Sequence, residues 1–174
     1  MKRRKDSGFT LIELMIVIAV IGILAIVLVP RVGTVKTQAK EAGLDTNVRL
    51  VQGYVESKIN KWVSSDIDQS VVVNDIEKAF TFTDSTKKLV NPITNLSPDP
   101  DTLADTAITG KLPLVVLSDH DASLAAGTQI AGAEGSVIVA VTATATNAVI
   151  TEVTIYAYGT DGNQLSEKTV TITP

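Results

Sequence analysis

The 174-residue chain has no cysteine, which excludes a disulfide, a lipidated cysteine anchor and a thiolate metal site. It has one histidine, His120, between Asp119 and Asp121. A metal or catalytic reading of that triplet needs further ligands or a nucleophile brought in by the fold, so a polar loop is the simpler expectation. Aromatics make up only 4% of the chain. Beyond Phe9, the first 62 residues offer Tyr54 and Trp62, too sparse for a continuous aromatic stack. No acid/base pair, nucleophile or phosphate-binding loop stands out, which argues against an enzyme. Acidic residues exceed basic ones, 19 to 15, and no basic stripe marks a general nucleic-acid surface.

What the chain does have is concentrated at its start. Four cations, Lys2, Arg3, Arg4 and Lys5, precede Gly8-Phe9-Thr10-Leu11-Ile12-Glu13 and an apolar run from Leu14 through Val29. A basic stub before roughly 20 apolar residues reads as a membrane-inserting segment whose start stays in the cytoplasm, with residues after Arg31 facing outward. A secretory signal would carry its small-residue cleavage site after the apolar core; here the small residue, Gly8, comes before it. Glu13 is a carboxylate inside nearly uninterrupted hydrocarbon, and it needs a partner, a route to the interface or a proton.

These residues resemble the class III signal of type IV pilins and pseudopilins, over about Lys5 to Pro30. The resemblance implies that a prepilin peptidase cuts between Gly8 and Phe9 and that the new Phe9 amine is N-methylated. Gly8 lacks a Cβ, so a protease can hold the backbone close around that bond. It also implies a homopolymer in which Glu13 pairs with the Phe9 amine of a neighbouring copy, the alternative being a carboxylate that snorkels or is protonated. Further implied partners are an inner-membrane platform protein and an assembly ATPase, with the membrane itself before assembly. Many family members close their C-terminal region with a disulfide; this chain departs from that habit.

The fold expected is α+β: a long N-terminal helix, membrane-spanning in its first half, packed on a C-terminal antiparallel sheet. Residues 1–8 are the leader, 9–31 the apolar half-helix and 32–63 its amphipathic continuation. Residues 64–111 are a variable connecting region and 112–174 the sheet. Without the leader the chain keeps eleven basic and eighteen acidic residues. Gly22 and Pro30 delimit the weakest part of the helix, since proline leaves the Ile26 carbonyl without an intrahelical donor. Leu44, Val48, Val51, Val55, Ile59 and Trp62 recur at spacings of four and three and form one face. Asn74 to Glu77 has the pattern of a capping box for a short helix to about Phe80.

The short apolar run Leu112 to Leu117, alternating residues from Val137 to Thr146, then Val149 to Ile155, and Val170 with Ile172 predict four strands in an antiparallel meander, its threonine-rich face in solvent. Gly159 to Asn163 marks a turn. Asp99, Asp101 and Asp105 are weak calcium candidates, because their spacing lacks the order of a calcium loop and solvated turn residues explain them more simply. No other cofactor is expected. The function implied is a structural pilus subunit, a membrane precursor that ends in a cell-surface filament. The alternative is a pseudopilin of a type II secretion or competence system.

Overall fold

The structure is a computed structural model that describes residues 9–81, 89–97, 112–118, 124, 128–144 and 149–174, without the side chains of residues 27–34 and 81. The chain forms two compact units, Met1–Ala39 and Lys40–Pro174. Helix α1 (Leu11–Ser64, 54 residues) runs through Gly22 and Pro30 without an interruption in its helical assignment. The weak stretch expected between those two residues is therefore helical here. No helix among the described residues is long and apolar enough to cross a membrane. The Val29 and Arg31 limits expected for the apolar half-helix fall among residues whose side chains lie outside the description.

In the second unit, the expected stripe is the core. Leu44, Val48, Val51, Val55, Ile59 and Trp62 are all buried. They share one cluster with Val72, Ile76 and Phe80 of helix α2 (Gln69–Thr81) and with alternate residues of the sheet, Val137, Val139, Val141, Val153 and Ile155. Each large side chain placed there contributes roughly 1.5–3 kcal/mol relative to exposure.

Helix α2 contains the short helix expected to about Phe80 but corrects its start, because the cap is Asp68, six residues before Asn74. The Asp68 carboxylate accepts the Ser70 hydroxyl at 2.6 Å and the Ser70 N–H at 2.8 Å. These bonds, the hydroxyl first, hold the Asp68 carboxyl below its ordinary range. The Asp68 carbonyl meanwhile accepts the Val72 N–H at 3.2 Å. Asn74 lies inside the helix and donates to the Ser70 carbonyl at 2.8 Å. Three consecutive valines, poor helix formers in isolation, disguised this first turn; buried Val72 shows tertiary packing overriding propensity.

The sheet has the order β1-β2-β3-β4, with β1 Leu114–Leu117, β2 Val137–Ala143, β3 Ile150–Ala157 and β4 Val170–Ile172. The α+β class with a long N-terminal helix and a C-terminal sheet is as expected. The sheet is mixed, however, not wholly antiparallel: β1 pairs in parallel with β2, whereas β2–β3 and β3–β4 are antiparallel. A parallel pair needs a long crossover, and the chain between Leu117 and Val137 supplies one. That crossover also overturns the solvent-facing back of the sheet. Ile138, Ala140, Tyr156 and Tyr158 on the reverse face are buried under a second cluster with Val115, Leu124 and Ala133. The turn expected at Gly159 to Asn163 is present, closed by the Gly159 N–H on the Asn163 carbonyl at 2.8 Å.

Asn91 ties these parts together. Its amide donates to the Glu134 carbonyl at 2.8 Å and its side-chain oxygen accepts the Ile93 N–H at 2.8 Å. Asn47 of α1 reaches the same loop, donating to the Val90 carbonyl at 2.9 Å. The joint requires Gly135, whose φ is +75° and whose missing Cβ would lie 2.3 Å from the Asn91 oxygen.

Two predictions follow from this packing. Gly135→Ala should lower stability by about 1–3 kcal/mol in thermal unfolding. Gly53→Ala, in open space on α1, should raise it by roughly 1 kcal/mol. Equal effects at the two sites would contradict the Asn91 joint. Burial, foremost, pushes the Tyr54 and Tyr158 hydroxyls up to about 12. The unfolded chain releases those protons first, so stability present below pH ~10 should be lost as pH rises towards ~12. Tyrosinate absorbance should then appear together with unfolding.

Candidate processing and assembly site

The site is built from the residues that open α1. Phe9 is 87% exposed and precedes the helix. Thr10 is its N-cap, and Glu13 stands three residues on. The Glu13 Oε2 atom accepts the Thr10 backbone N–H at 2.8 Å and the Thr10 hydroxyl at 2.8 Å. The Glu13 N–H points back to the Thr10 hydroxyl oxygen at 3.4 Å. This reciprocal capping box satisfies orphan donors at the helix start. It also places the carboxylate at the positive end of the helix dipole.

The chemical consequence concerns how the carboxylate is carried. Within one chain, Glu13 is bonded to the amide one residue beyond Phe9, and both donors use Oε2. Oε1 takes no part in the box. A cation brought to Oε1 would add to the box without dismantling it. Thr10 was not singled out from sequence, although Thr10-Leu11-Ile12-Glu13 is the Thr-x-x-Glu signature of such a box.

Behind the cap, apolar side chains are exposed on every side of the helix. Leu11, Ile12, Leu14, Met15, Ile16, Val17, Ile18, Val20, Ile21, Ile23, Leu24 and Ile26 all remain at least 49% exposed. An all-round apolar helix has no solvent face, so it requires lipid or other helices around it. Gly22 lies within this stretch with nothing within 4 Å of a Cβ added to it.

The structure describes Phe9, Glu13 and Gly22 of the candidate residues, whereas Gly8 and the basic stub lie outside the described residues. The backbone of Pro30 is helical and its side chain lies outside the description. Asp99, Asp101, Asp105 and the Asp119-His120-Asp121 triplet also lie outside. Among the described residues no group of three or more carboxylates or histidines is arranged to hold a metal ion.

Comparison with known proteins points to the same end of the chain. Residues 3–29 match the family described as the prokaryotic N-terminal methylation motif. Over 40 residues the chain is 55% identical to the type II secretion system core protein G of Pseudomonas aeruginosa. That match covers 23% of this chain and 28% of the relative, so it reaches little more than a quarter of that protein's length. No solved structure matches the chain.

The box carries its own test. Thr10→Val removes the hydroxyl while keeping the shape, and amide exchange at Ile12, Glu13 and Leu14 in detergent micelles should accelerate several-fold. Thr10→Ser should restore protection. Unchanged exchange in Thr10→Val would show that the hydroxyl does not hold this turn.

Proposed function

The chain carries the N-terminal methylation motif of the type IV pilin and pseudopilin superfamily, and from that premise we propose that it is a structural subunit of a type IV pilus. The precursor inserts in the membrane with its N-terminus cytoplasmic and its globular part outside. A prepilin peptidase cleaves between Gly8 and Phe9 and the Phe9 amine is methylated, which leaves its positive charge in place. Copies then stack into a helical surface filament, served by an inner-membrane platform protein and an assembly ATPase.

The observation that carries this reading is the motif match over residues 3–29, and the apolar surface directly behind it supports the assembly step. Stacked half-helices make a heterologous contact that propagates without closing. Against water, each large apolar side chain buried contributes roughly 1.5–3 kcal/mol, but against lipid almost nothing. Extraction from the bilayer therefore needs an external motor. Glu13 keeps its own box through Oε2 and accepts the Phe9 amine of a neighbour through Oε1, so its burial is compensated on assembly.

The similarity to a type II secretion core protein favours a second reading, a pseudopilin whose short filament stays with a secretion or competence system. Calcium binding by the segment with Asp99, Asp101 and Asp105 would accompany that reading. A calorimetric calcium titration tests it.

Mass spectrometry of material sheared from the cell surface decides between the two. An abundant chain beginning at N-methylated Phe9 is the expected result. A processed chain confined to the membrane fraction would establish the pseudopilin, and an intact Gly8–Phe9 bond would sink both. Glu13→Ala should be processed normally yet be incorporated at least about tenfold less, given the loss of a buried charge pair. Normal assembly of Glu13→Ala would remove the pairing.

A further inference from the structure

The most distinctive surface feature outside the N-terminal segment is an open cleft of about 500 Å³ between α1 and α2. Its lining carries three cations, Lys58 and Lys61 of α1 and Lys78 of α2, and one carboxylate, Asp75, together with Trp62, Ile67 and Val71. Lys58 and Lys61, three apart, share one helix face. Lys58 is held over the Tyr54 ring, 5.7 Å from its centroid. The cleft is preformed, because the Trp62 indole N–H donates to the Asp75 carboxylate at 3.1 Å and the Tyr54 hydroxyl donates to the Asp75 carbonyl at 3.3 Å. Asp75 is thereby engaged by Trp62. Among the described residues Lys168 pairs with Asp45, whereas these three lysines form no ion pair.

The charge setting makes this cluster unusual. Residues 40–174 hold seventeen acidic and only nine basic side chains, and three of those nine meet here. We propose that the Lys58–Lys61–Lys78 cleft docks an acidic surface of a second copy of this chain. The inference rests on the assembly reading above and names a contact that reading leaves open. Identical acidic bodies crowded together repel one another unless a positive patch on each meets a negative patch on the next. The one carboxylate in the lining, Asp75, is bonded by Trp62 and leaves the three lysines in excess, and stacking of the N-terminal helices raises the effective concentration of a neighbour's carboxylates beside them. Exposed Val71 provides apolar contact beneath the charges. A cleft meeting a different surface is again a heterologous contact, compatible with an open helical polymer.

The test uses full-length chain produced as a mixture of two nitrogen-isotope labels and recovered in assembled form. A carbodiimide joins ammonium groups to carboxylates in direct contact. Peptides linking Lys58, Lys61 or Lys78 to an Asp or Glu of the other label are expected. The variant Lys58→Glu, Lys61→Glu, Lys78→Glu should enter assemblies at least about tenfold less than wild type, and more of it at low pH. The corresponding triple Lys→Arg variant should enter normally, and Trp62 fluorescence should report an intact fold in both. Links confined to a single label, links to a different macromolecule, or undiminished incorporation of the Glu variant would each overturn the inference. If Phe9 is unprocessed and no assembly forms, the pilin and pseudopilin readings fail on their own. The same coupling performed on the full chain in detergent then decides the cleft: mixed-label links retain it and their absence overturns it.

Discussion

The packing of one helical stripe against one sheet face holds the second unit together. Leu44, Val48, Val51, Val55, Ile59 and Trp62 meet Val137, Val139, Val141, Val153 and Ile155 in a single cluster. The match depends on two periodicities, 3.6 along the helix and 2 along the strands, each presenting an unbroken apolar row. Helix α2 closes the side of this cluster through Val72, Ile76 and Phe80. Its Asp75 then fastens to Trp62 and Tyr54, so the position of α2 is held by hydrogen bonds as well as by burial. Tyr54 adds aromatic contacts to Trp62 and Phe80 at centroid distances of 6.3 and 5.4 Å.

The reverse face of the sheet is organised by connectivity. A parallel β1–β2 pair obliges the chain to cross the sheet between them, and the crossing segment brings Leu124 and Ala133 down on Ile138, Ala140, Tyr156 and Tyr158. Ser136, at the end of that crossing, donates to the Leu112 carbonyl at 2.5 Å and so fixes the entry into both strands. Asn91 and Gly135 complete the joint from the side of α1. The sheet is consequently covered on both faces, as parallel pairing generally demands.

The N-terminal unit obeys the opposite logic. Its described apolar side chains from Leu11 to Ile26 stay exposed, while Glu13 finds two donors at once. Satisfying Glu13 locally makes a charged group tolerable beside hydrocarbon and leaves one oxygen for a second molecule. That exposed apolar surface, together with the motif at residues 3–29, supports the proposed assembly.

Much of this was legible before any coordinates. Local rules act on neighbours in sequence, so the helix stripe, the four strands, the Gly159 turn and the special character of Gly8 to Glu13 could be read from spacing and composition. The box at Thr10 was equally local and was legible in Thr-x-x-Glu. The start of α2 was less so, because Val71-Val72-Val73 has low helix propensity and burial of Val72 in the core holds it helical. Three features depended on the tertiary structure alone. The parallel sense of β1 and the covering of the reverse face arise from where a long connection crosses, which no local pattern encodes. The gathering of Lys78 with Lys58 and Lys61 arises from the docking of α2 on α1, seventeen residues from the nearer of those two lysines. Pattern along the chain determines which faces are apolar; only the closing of the fold decides which of them meet.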